Sequence, residues 1–301
     1  MAAENIELRL AGPRGEPVDL WRTIVSHGVV DLAPGKVDEA ARGYETTVPI
    51  AGARPRTIQI REGRRGRALV EVRGPRLSPA VEERLTAALR RMLNLNEDLS
   101  GFYNVALADP ELSWAAAGAG RMLRSPTVFE DVVKTICTTN CAWSATVRMT
   151  RALVEHLGEA SAGAHGRAFP TPRAMAEAPE SFYREVVRAG YRGAYLHALA
   201  AGVADGRIEL ESLRDTTQDE VADDEVAARL LALPGIGPYA AAHVMMLLGR
   251  HSRLILDSWT RPKYARLNGR GASDRTIERR FRRYGPYAGL AFWLYLTRDW
   301  A

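Results

Sequence analysis

Cysteine is scarce in this chain of 301 residues, occurring only as Cys137 and Cys141. Their spacing of four residues on a predicted helix disfavours a loop-closing disulfide, which favours a reducing compartment. Two cysteines cannot supply the four thiolates of an iron–sulfur cluster. The six histidines form no H-x-x-x-H or H-E-x-x-H pattern near the pair that would suggest zinc. We therefore expect no metal and no cofactor, and interpret both cysteines as small buried helix residues.

Long apolar runs are also missing. The longest apolar-looking stretch, residues 240–248, contains His243 and is far shorter than the roughly 20 residues of a membrane-spanning helix. The first residues carry Glu4, Glu7 and Glu16 and no apolar h-region, so we expect neither a secretory signal nor a transit peptide. These absences predict no membrane partner and a cytoplasmic location, associated with the nucleoid if the source is bacterial.

Lysine occurs only at Lys36, Lys134 and Lys263, so arginine carries nearly all the positive charge. The formal net charge is +5, and residues 261–301 hold ten basic and three acidic residues, a net charge of +7 for that segment. One interpretation is a solvated helix face. The other is a surface that follows nucleic-acid phosphates, because arginine forks match phosphate oxygens.

The remaining composition, 46% hydrophobic and 26% charged, is typical of a globular chain with one large core or two adjoining ones. Alternating apolar residues at 44–74 predict antiparallel strands, and Ser78-Pro79 begins a helical pattern. Beyond about Leu112, helical periodicity dominates. We predict an α+β fold in which a small antiparallel-sheet unit, residues 1–111, packs on a mostly α-helical domain, residues 112–301. The predicted helices of this domain cover residues 127–157, 173–178, 181–187, 195–204, 224–233, 238–248, 274–283 and 287–296, with loops at 158–166 and 206–224.

The segment LPGIGPY at 233–239 lies between two helical patterns and predicts a helix–hairpin–helix. Gly235 and Gly237 permit a tight turn around Ile236 and leave backbone N–H groups uncovered, while Pro238 suits the first turn of the next helix. Free N–H groups at a helix N-terminus form a site for a DNA phosphate. A glycine pair between helices is also a common plain turn.

Twenty residues after Gly237, the segment LILDSW at 254–259 places Asp257 after three aliphatic residues. A carboxylate of this kind can stabilise the positive charge that develops on a sugar when an N-glycosidic bond breaks, and can orient the attacking water. The structural alternative is that Asp257 caps the following helix with help from Ser258.

The hairpin, the aspartate and their spacing together resemble the helix–hairpin–helix (HhH-GPD) DNA glycosylase superfamily, whose members carry a catalytic aspartate at about this distance. The segment TVFEDVVKTICTTN at 127–140 resembles the first helix of that domain in the 8-oxoguanine glycosylase and 3-methyladenine glycosylase II branches. Asn140 matches the gap-filling asparagine of the 8-oxoguanine branch. The segment AGYRGAY at 189–195 is similar to a turn in that branch, which implies that Tyr191 wedges into the duplex and Arg192 reads the orphaned base.

The sequence departs from the superfamily pattern at two points. Bifunctional members carry a Schiff-base lysine two residues after the second hairpin glycine, where this chain has Tyr239. The iron–sulfur loop of the endonuclease III branch is absent. Without an amine nucleophile in the hairpin, the resemblance implies a monofunctional enzyme without lyase activity.

An enzyme that acts on a base must flip it out of the stack into a pocket. Tyr239 and His243, one helical turn apart, are predicted to line that pocket with Trp259 and Tyr287, although each could instead belong to the core. We thus expect a monomeric DNA glycosylase of base excision repair, acting on double-stranded DNA that contains a damaged, first of all an alkylated, base. The alternatives are an 8-oxoguanine or deaminated/mismatched-base glycosylase, a non-catalytic binder of DNA structure, against which Asp257 counts, and an α+β protein with a chance hairpin.

Overall fold

The structure, a computed structural model, describes residues 4–163, 165–214, 216 and 220–300. Its N-terminal part is built around a five-stranded antiparallel sheet in the order β1-β5-β4-β3-β2. The strands are β1 (Glu4–Arg9), β2 (Lys36–Asp38), β3 (Gly43–Ile50), β4 (Ala53–Glu62) and β5 (Arg67–Val72).

Strands β3, β4 and β5 confirm the antiparallel strands predicted from the alternation at 44–74. The flanking strands β1 and β2 were not predicted. In β1 the buried Ile6 and Leu8 alternate with exposed polar residues, but only two apolar positions carry the pattern. In β2 only three residues pair, and none of them is buried. Edge strands this short give little periodic signal.

Two helices cover one face of the sheet, α1 (Leu20–Ile24) and α2 (Pro79–Met92). Helix α2 begins at the predicted Ser78-Pro79 boundary. Its buried residues Leu85, Leu89 and Met92 recur at helical spacing and share one apolar cluster with the sheet residues. This cluster is the core of the N-terminal part.

The rest of the chain is helical, as predicted for an α+β fold. Its helices are α3 (Ser100–Leu107), α4 (Val128–Thr138), α5 (Trp143–Leu157), α6 (Pro172–Glu177), α7 (Arg192–Ala204), α8 (Asp223–Leu231), α9 (Pro238–Leu247), α10 (Thr260–Asn268), α11 (Asp274–Phe281) and α12 (Ala288–Thr297). A single π-helical turn spans Phe182–Val186.

The predicted helix at 127–157 is two helices, because the chain leaves helical geometry after α4 and Asn140 adopts a left-handed conformation with φ of 45°. Helices α3 and α10 were not predicted. Helix α10 buries only Thr260 and Tyr264, so it lacks an apolar stripe. The described residues of the predicted loop at 158–166 contain no α-helix and no named strand. The same holds for the described residues of the predicted loop at 206–224 up to Asp223, where α8 begins. Residues 164, 215 and 217–219 lie outside the description.

The packing of α3 bears on the domain division at 111/112, which remains a prediction. Phe102 and Tyr103 of α3 belong to the same apolar cluster as the C-terminal helix α12, although they precede that boundary. The two parts are further joined by Trp293, whose Nε1 donates to the Ser26 carbonyl at 2.8 Å. No helix in the described ranges is both long and apolar enough to cross a membrane.

Candidate functional site

The hairpin turn between α8 and α9 has the geometry that its glycines predict. Gly235 adopts a φ of +78°, and a Cβ there would lie 2.9 Å from the ring of Tyr195, so glycine is needed for both conformation and space. Ile236 is buried and anchors the turn. The N–H groups of Gly235 and Gly237 donate to no acceptor among the described residues. They remain available to an anion at the N-terminus of α9.

Asp257 is half-buried and precedes α10. Its Oδ1 accepts hydrogen bonds from the backbone N–H groups of Trp259, at 2.9 Å, and Thr260, at 2.7 Å. Its other oxygen, Oδ2, accepts no hydrogen bond from the described part of the chain. The helix-capping alternative is therefore realised through one oxygen, and the second remains free for chemistry.

One cleft of about 760 Å³ brings the hairpin and the aspartate together with the end of α4 and the start of α7. It is lined by Thr138, Thr139, Asn140, Cys141, Tyr191, Tyr195, Gly235, Ile236, Gly237, Pro238, Tyr239, Ala240, Leu256, Asp257, Ser258 and Arg261. Seven of the predicted site residues share this cleft: Asp257, Gly235, Ile236, Gly237, Asn140, Tyr191 and Tyr239. Residues as far apart in the chain as Thr138 and Arg261 thus meet at one surface.

Asn140 and Tyr191 form a pair on the cleft. The Asn140 side-chain Nδ2 donates to the Tyr191 hydroxyl at 3.3 Å, and this hydrogen bond lowers the pKa of that hydroxyl. The Tyr191 ring is 55% exposed, which is unusual for a large aromatic residue. The amide and the exposed ring are thereby held side by side on the cleft.

Arg192 is not among the residues that line the cleft, and its predicted role in reading the orphaned base stays a prediction. The residue is 7% exposed, and its Nε donates to the Thr139 carbonyl at 2.9 Å. Its Nη2 donates to the same oxygen, and the guanidinium lies 4.5 Å from the centre of the Tyr191 ring. The carbonyl at the end of α4 attracts this cation because the C-terminal end of a helix carries partial negative charge.

Of the four predicted pocket residues, Tyr239 lines the cleft and His243 does not. The Tyr239 hydroxyl lies 3.3 Å from Thr138 Oγ1, and burial raises the pKa of this hydroxyl. His243 is buried, with its ring centre 5.6 Å from that of His27. Burial lowers the pKa of His243 to about 4, so its imidazole is neutral at pH 7. Its Nε2 has no hydrogen-bond partner in the described structure.

Trp259 and Tyr287 also lie outside the cleft. The Trp259 ring packs 5.6 Å from Trp293 and 5.4 Å from Trp300. The ring of Tyr287 lies 5.6 Å from that of Phe102. Both rings pack against the apolar cluster of the C-terminal helices, as in the alternative that these residues belong to the core. The sequence did not show this, because their apolar neighbours come from elements that are brought close only by the fold.

Several cleft residues were not singled out from the sequence, among them Tyr195, Thr138 and Arg261. Tyr195 lies four residues after Tyr191 on α7, with ring centres 6.0 Å apart, and this helical spacing was a usable signal. Thr138 and Arg261 had no such signal. Thr260, next to the cleft, returns a hydrogen bond by accepting from the Asp257 N–H at 2.8 Å.

The arginine-rich segment at 261–301 is partly neutralised by ion pairs. Arg261 contacts Asp274 at 2.8 Å, and Lys263 contacts Asp299 at 2.7 Å. Two more cations pair with acidic residues from before α4, namely Arg280 with Glu111 and Arg283 with Asp109. These pairs favour the solvated-face interpretation for part of the segment.

No cluster of three or more histidine, cysteine, aspartate or glutamate residues suited to a metal occurs in the ranges that the structure describes. Cys137 is buried, which raises the pKa of its thiol to about 12. The prediction of two buried helix residues is wrong for Cys141, which is half-buried and lies in the bend between α4 and α5 because the helix ends at Thr138. Its Sγ lies 3.2 Å from the Cys137 carbonyl.

No protein-family model and no curated protein matches the sequence. Solved structures match it over nearly the whole length. The apo form of Clostridium acetobutylicum 8-oxoguanine glycosylase/lyase is 18% identical with a TM-score of 0.72, covering 98% of this chain and 97% of its own. A 3-methyladenine DNA glycosylase from Archaeoglobus fulgidus is 20% identical with a TM-score of 0.72, covering 99% of each chain.

The Clostridium enzyme in complex with double-stranded DNA containing cytosine opposite 8-oxoguanine is similar to the same degree, with 18% identity, a TM-score of 0.72, and coverage of 99% of this chain and 98% of its own. At these identities the likeness concerns architecture. The chain therefore has the fold of the helix–hairpin–helix DNA glycosylases.

Proposed function

We propose that this protein is a monofunctional DNA glycosylase, which flips a damaged base out of double-stranded DNA and hydrolyses its N-glycosidic bond. The observation that carries the proposal is the position of Asp257 in one cleft with the hairpin glycines and the Asn140–Tyr191 pair. A carboxylate, a phosphate anchor and an exposed wedge are the three elements that base excision from a duplex requires.

Asp257 supplies the charge for bond breaking. Two backbone amides hold Oδ1, so the carboxylate is oriented before any ligand binds. As the base leaves with the electron pair of the glycosidic bond, the sugar becomes cationic, and the free Oδ2 stabilises this charge. Water then adds to the anomeric carbon and releases a proton to the carboxylate or to solvent.

The hairpin and the wedge hold the DNA during this step. The uncovered N–H groups of Gly235 and Gly237 bind a backbone phosphate, which places the duplex without reading its sequence. Asn140 and Tyr191 fill the space that the flipped nucleotide leaves. Filling this space offsets the cost of unstacking, which is a few kcal/mol.

The lack of a lysine among the described residues that line the cleft supports the monofunctional assignment. Tyr239 occupies the position of the hairpin lysine of bifunctional enzymes. Lys134 is 2% exposed and pairs with Glu130 at 2.7 Å, while Lys263 pairs with Asp299. The third lysine lies on β2. With no lysine lining the cleft, a Schiff base has no donor there.

An alkylated base is the substrate that the cleft favours first. Besides the wedge residue Tyr191, two tyrosine rings line it, Tyr195 and Tyr239. Many alkylated purines carry a formal positive charge, and electron-rich aromatic faces attract cations. Such a base is also a good leaving group, so one carboxylate without an amine nucleophile suffices for its release.

The test is incubation of the full chain with duplexes that each carry one modified base: 7-methylguanine, ethenoadenine, hypoxanthine, uracil or 8-oxoguanine. We expect release of an alkylated base, and strand breaks only after alkali treatment. Release of uracil or 8-oxoguanine alone would reassign the substrate. Binding to abasic-site duplexes without release of any base would instead support the non-catalytic DNA-binding alternative.

A further inference from the structure

The contact between Arg192 and Thr139 joins two segments that carry the exposed wedge. Thr139 directly follows the last residue of α4 and immediately precedes Asn140, while Arg192 immediately follows Tyr191 and begins α7. Two adjacent residues of one segment therefore bond two adjacent residues of the other, Arg192 to Thr139 and Tyr191 to Asn140. We call these four residues the clamp.

One edge of the Arg192 guanidinium is used in this clamp. Nε and Nη2 both donate to the Thr139 carbonyl, so the two-pronged edge that they form is occupied, while Nη1 keeps its N–H donors. The Tyr191 ring covers one face of the guanidinium at 4.5 Å. Only 7% of Arg192 is exposed, and releasing the guanidinium would leave the carbonyl of half-buried Thr139, at the end of a helix, without this partner.

From these contacts we infer that Arg192 is a positioning residue, which holds Asn140 and Tyr191 as a rigid wedge, and that the enzyme excises its base with little regard to the base opposite. This inference rests on the proposed function. It assigns to Arg192 a role different from reading the orphaned base.

The other groups of the cleft agree with tolerance of the opposite base. Arg261 also lines the cleft, but its Nε and Nη2 donate to the Asp274 carboxylate oxygens, at 2.8 and 2.9 Å. The Asn140 amide offers both donors and an acceptor, so it can adapt to any base edge. The Tyr191 ring can stack on every base. Neither side chain imposes the fixed donor pattern that an arginine fork would.

The wedge residue Tyr191 is also connected to the hairpin, through the ring of Tyr195. Tyr191 packs against Tyr195, and the Tyr195 ring lies against Gly235. A shift of Tyr191 would therefore be transmitted toward the phosphate-binding turn. Arg192 holds the first member of this series, so its loss should weaken DNA binding as well as wedge insertion.

The experiment measures binding of the full chain to duplexes with a tetrahydrofuran abasic-site analogue opposite each of the four bases, at one fixed salt concentration. We expect wild-type dissociation constants within about threefold of one another. Arg192→Met should weaken binding to all four by a similar factor, about tenfold, equivalent to one lost charge-assisted contact. Arg192→Lys keeps one donor for the Thr139 carbonyl and should recover most of the affinity.

A spectroscopic readout separates positioning from general destabilisation. With 2-aminopurine opposite the abasic analogue, saturating wild-type protein should change the fluorescence as the wedge unstacks the probe. Arg192→Met should lose this change at saturation, and Arg192→Lys should restore it. Arg173→Met, which removes an exposed arginine paired with Glu177, is the matched control and should behave as wild type.

Each outcome decides between roles. A wild-type preference above about thirtyfold for one opposite base, lost in both Arg192 variants, would show that Arg192 reads that base and would overturn the inference. A preference of that size retained in both variants would contradict the inferred tolerance of the opposite base, even though Arg192 would not be the residue that reads it. If wild-type protein binds abasic-site duplexes no better than undamaged ones, the proposed function itself fails.

Discussion

Asp257 and Thr260 hold each other at the start of α10. The Asp257 N–H donates to Thr260 Oγ1 at 2.8 Å, and the Thr260 N–H donates to Asp257 Oδ1 at 2.7 Å. This reciprocal pair places one carboxylate oxygen permanently against backbone amides. The carboxylate is thereby fixed in orientation at a residue that lines the cleft. A charge that needs no reorganisation when a ligand arrives is the kind that stabilises a transition state best.

Replacement of the carboxylate tests its role most directly. In Asp257→Asn the amide oxygen can still accept from Trp259 and Thr260, so the fold should persist, but the negative charge is gone. The single-turnover rate of base release should fall ~10²–10³-fold, while affinity for an abasic-site analogue stays within a few fold. Asp205→Asn, at an exposed ion pair with Arg207, is the control. An unchanged rate in Asp257→Asn would contradict the mechanism.

The two hairpin glycines should respond differently to substitution. A Cβ at Gly237 meets no atom within 4 Å, so Gly237→Leu should leave the melting temperature unchanged. Its side chain would keep a phosphate from the backbone and weaken binding to every duplex by about tenfold.

Gly235→Ala is the contrasting variant. It places a side chain at a φ of +78° and 2.9 Å from the Tyr195 ring, so it should destabilise the fold by about 1–2 kcal/mol. Thermal melting and fluorescence anisotropy measure the two effects. Unaltered DNA affinity in a folded Gly237→Leu protein would mean that the hairpin is structural only.

The residue at the lysine position should decide whether strand cleavage accompanies base release. Wild-type protein should give no covalent adduct with borohydride, because Tyr239 offers no amine. Tyr239→Lys places an amine in the cleft with Asp257 and should produce a trapped adduct and nicks without alkali. Denaturing gel electrophoresis shows both. Tyr239→Phe, which removes only the hydroxyl near Thr138, should trap nothing. An adduct with the wild-type protein would assign an amine that lies outside the cleft in this structure.

A buried carboxyl on α4 should make stability depend on pH. Burial raises the pKa of Asp131 to about 7, against the opposing effect of the hydrogen bond from the Ser125 N–H. Between its ordinary value and pH 7 the folded protein therefore holds a proton that the unfolded chain has lost. This contribution to stability is present at low pH and is lost as the pH rises through 7.

The variant Asp131→Asn isolates this contribution. The amide is neutral at every pH and its oxygen can still accept from Ser125, while the buried pair Glu130 and Lys134 on the same helix is unchanged. The lowered pKa values of His27 and His243 give an opposite slope that is common to both proteins. The variant should gain a few kcal/mol relative to wild type between pH 5 and pH 8. A stability difference independent of pH, measured by urea unfolding, would contradict the buried ionisation.

Much of the site could be predicted because its signals are local. The glycines of the hairpin and the proline at the start of α9 reflect turn chemistry within a few residues of the chain. Asp257 was found by its spacing of twenty residues from Gly237, which is part of the family resemblance. The α+β division followed from the change from alternating to helical periodicity. Helix α10 was not predicted because its polar sequence has almost no apolar stripe. Strands β1 and β2 were not predicted because short edge strands have few positions at which alternation can be seen.

The tertiary structure alone decided which way the side chains face. Arg192 and Thr139 lie 53 positions apart in the sequence, and no local pattern shows that a helix end would offer its carbonyl to that guanidinium. Likewise His243 follows Tyr239 by one helical turn, yet it is buried against His27 from the N-terminal part. The sequence by itself determined the hairpin turn and the reactive side chains that follow it in the chain, such as Tyr239 and Asp257. Their exposure depended on partners distant in the chain, because burial and hydrogen bonding are set by the packing of whole elements.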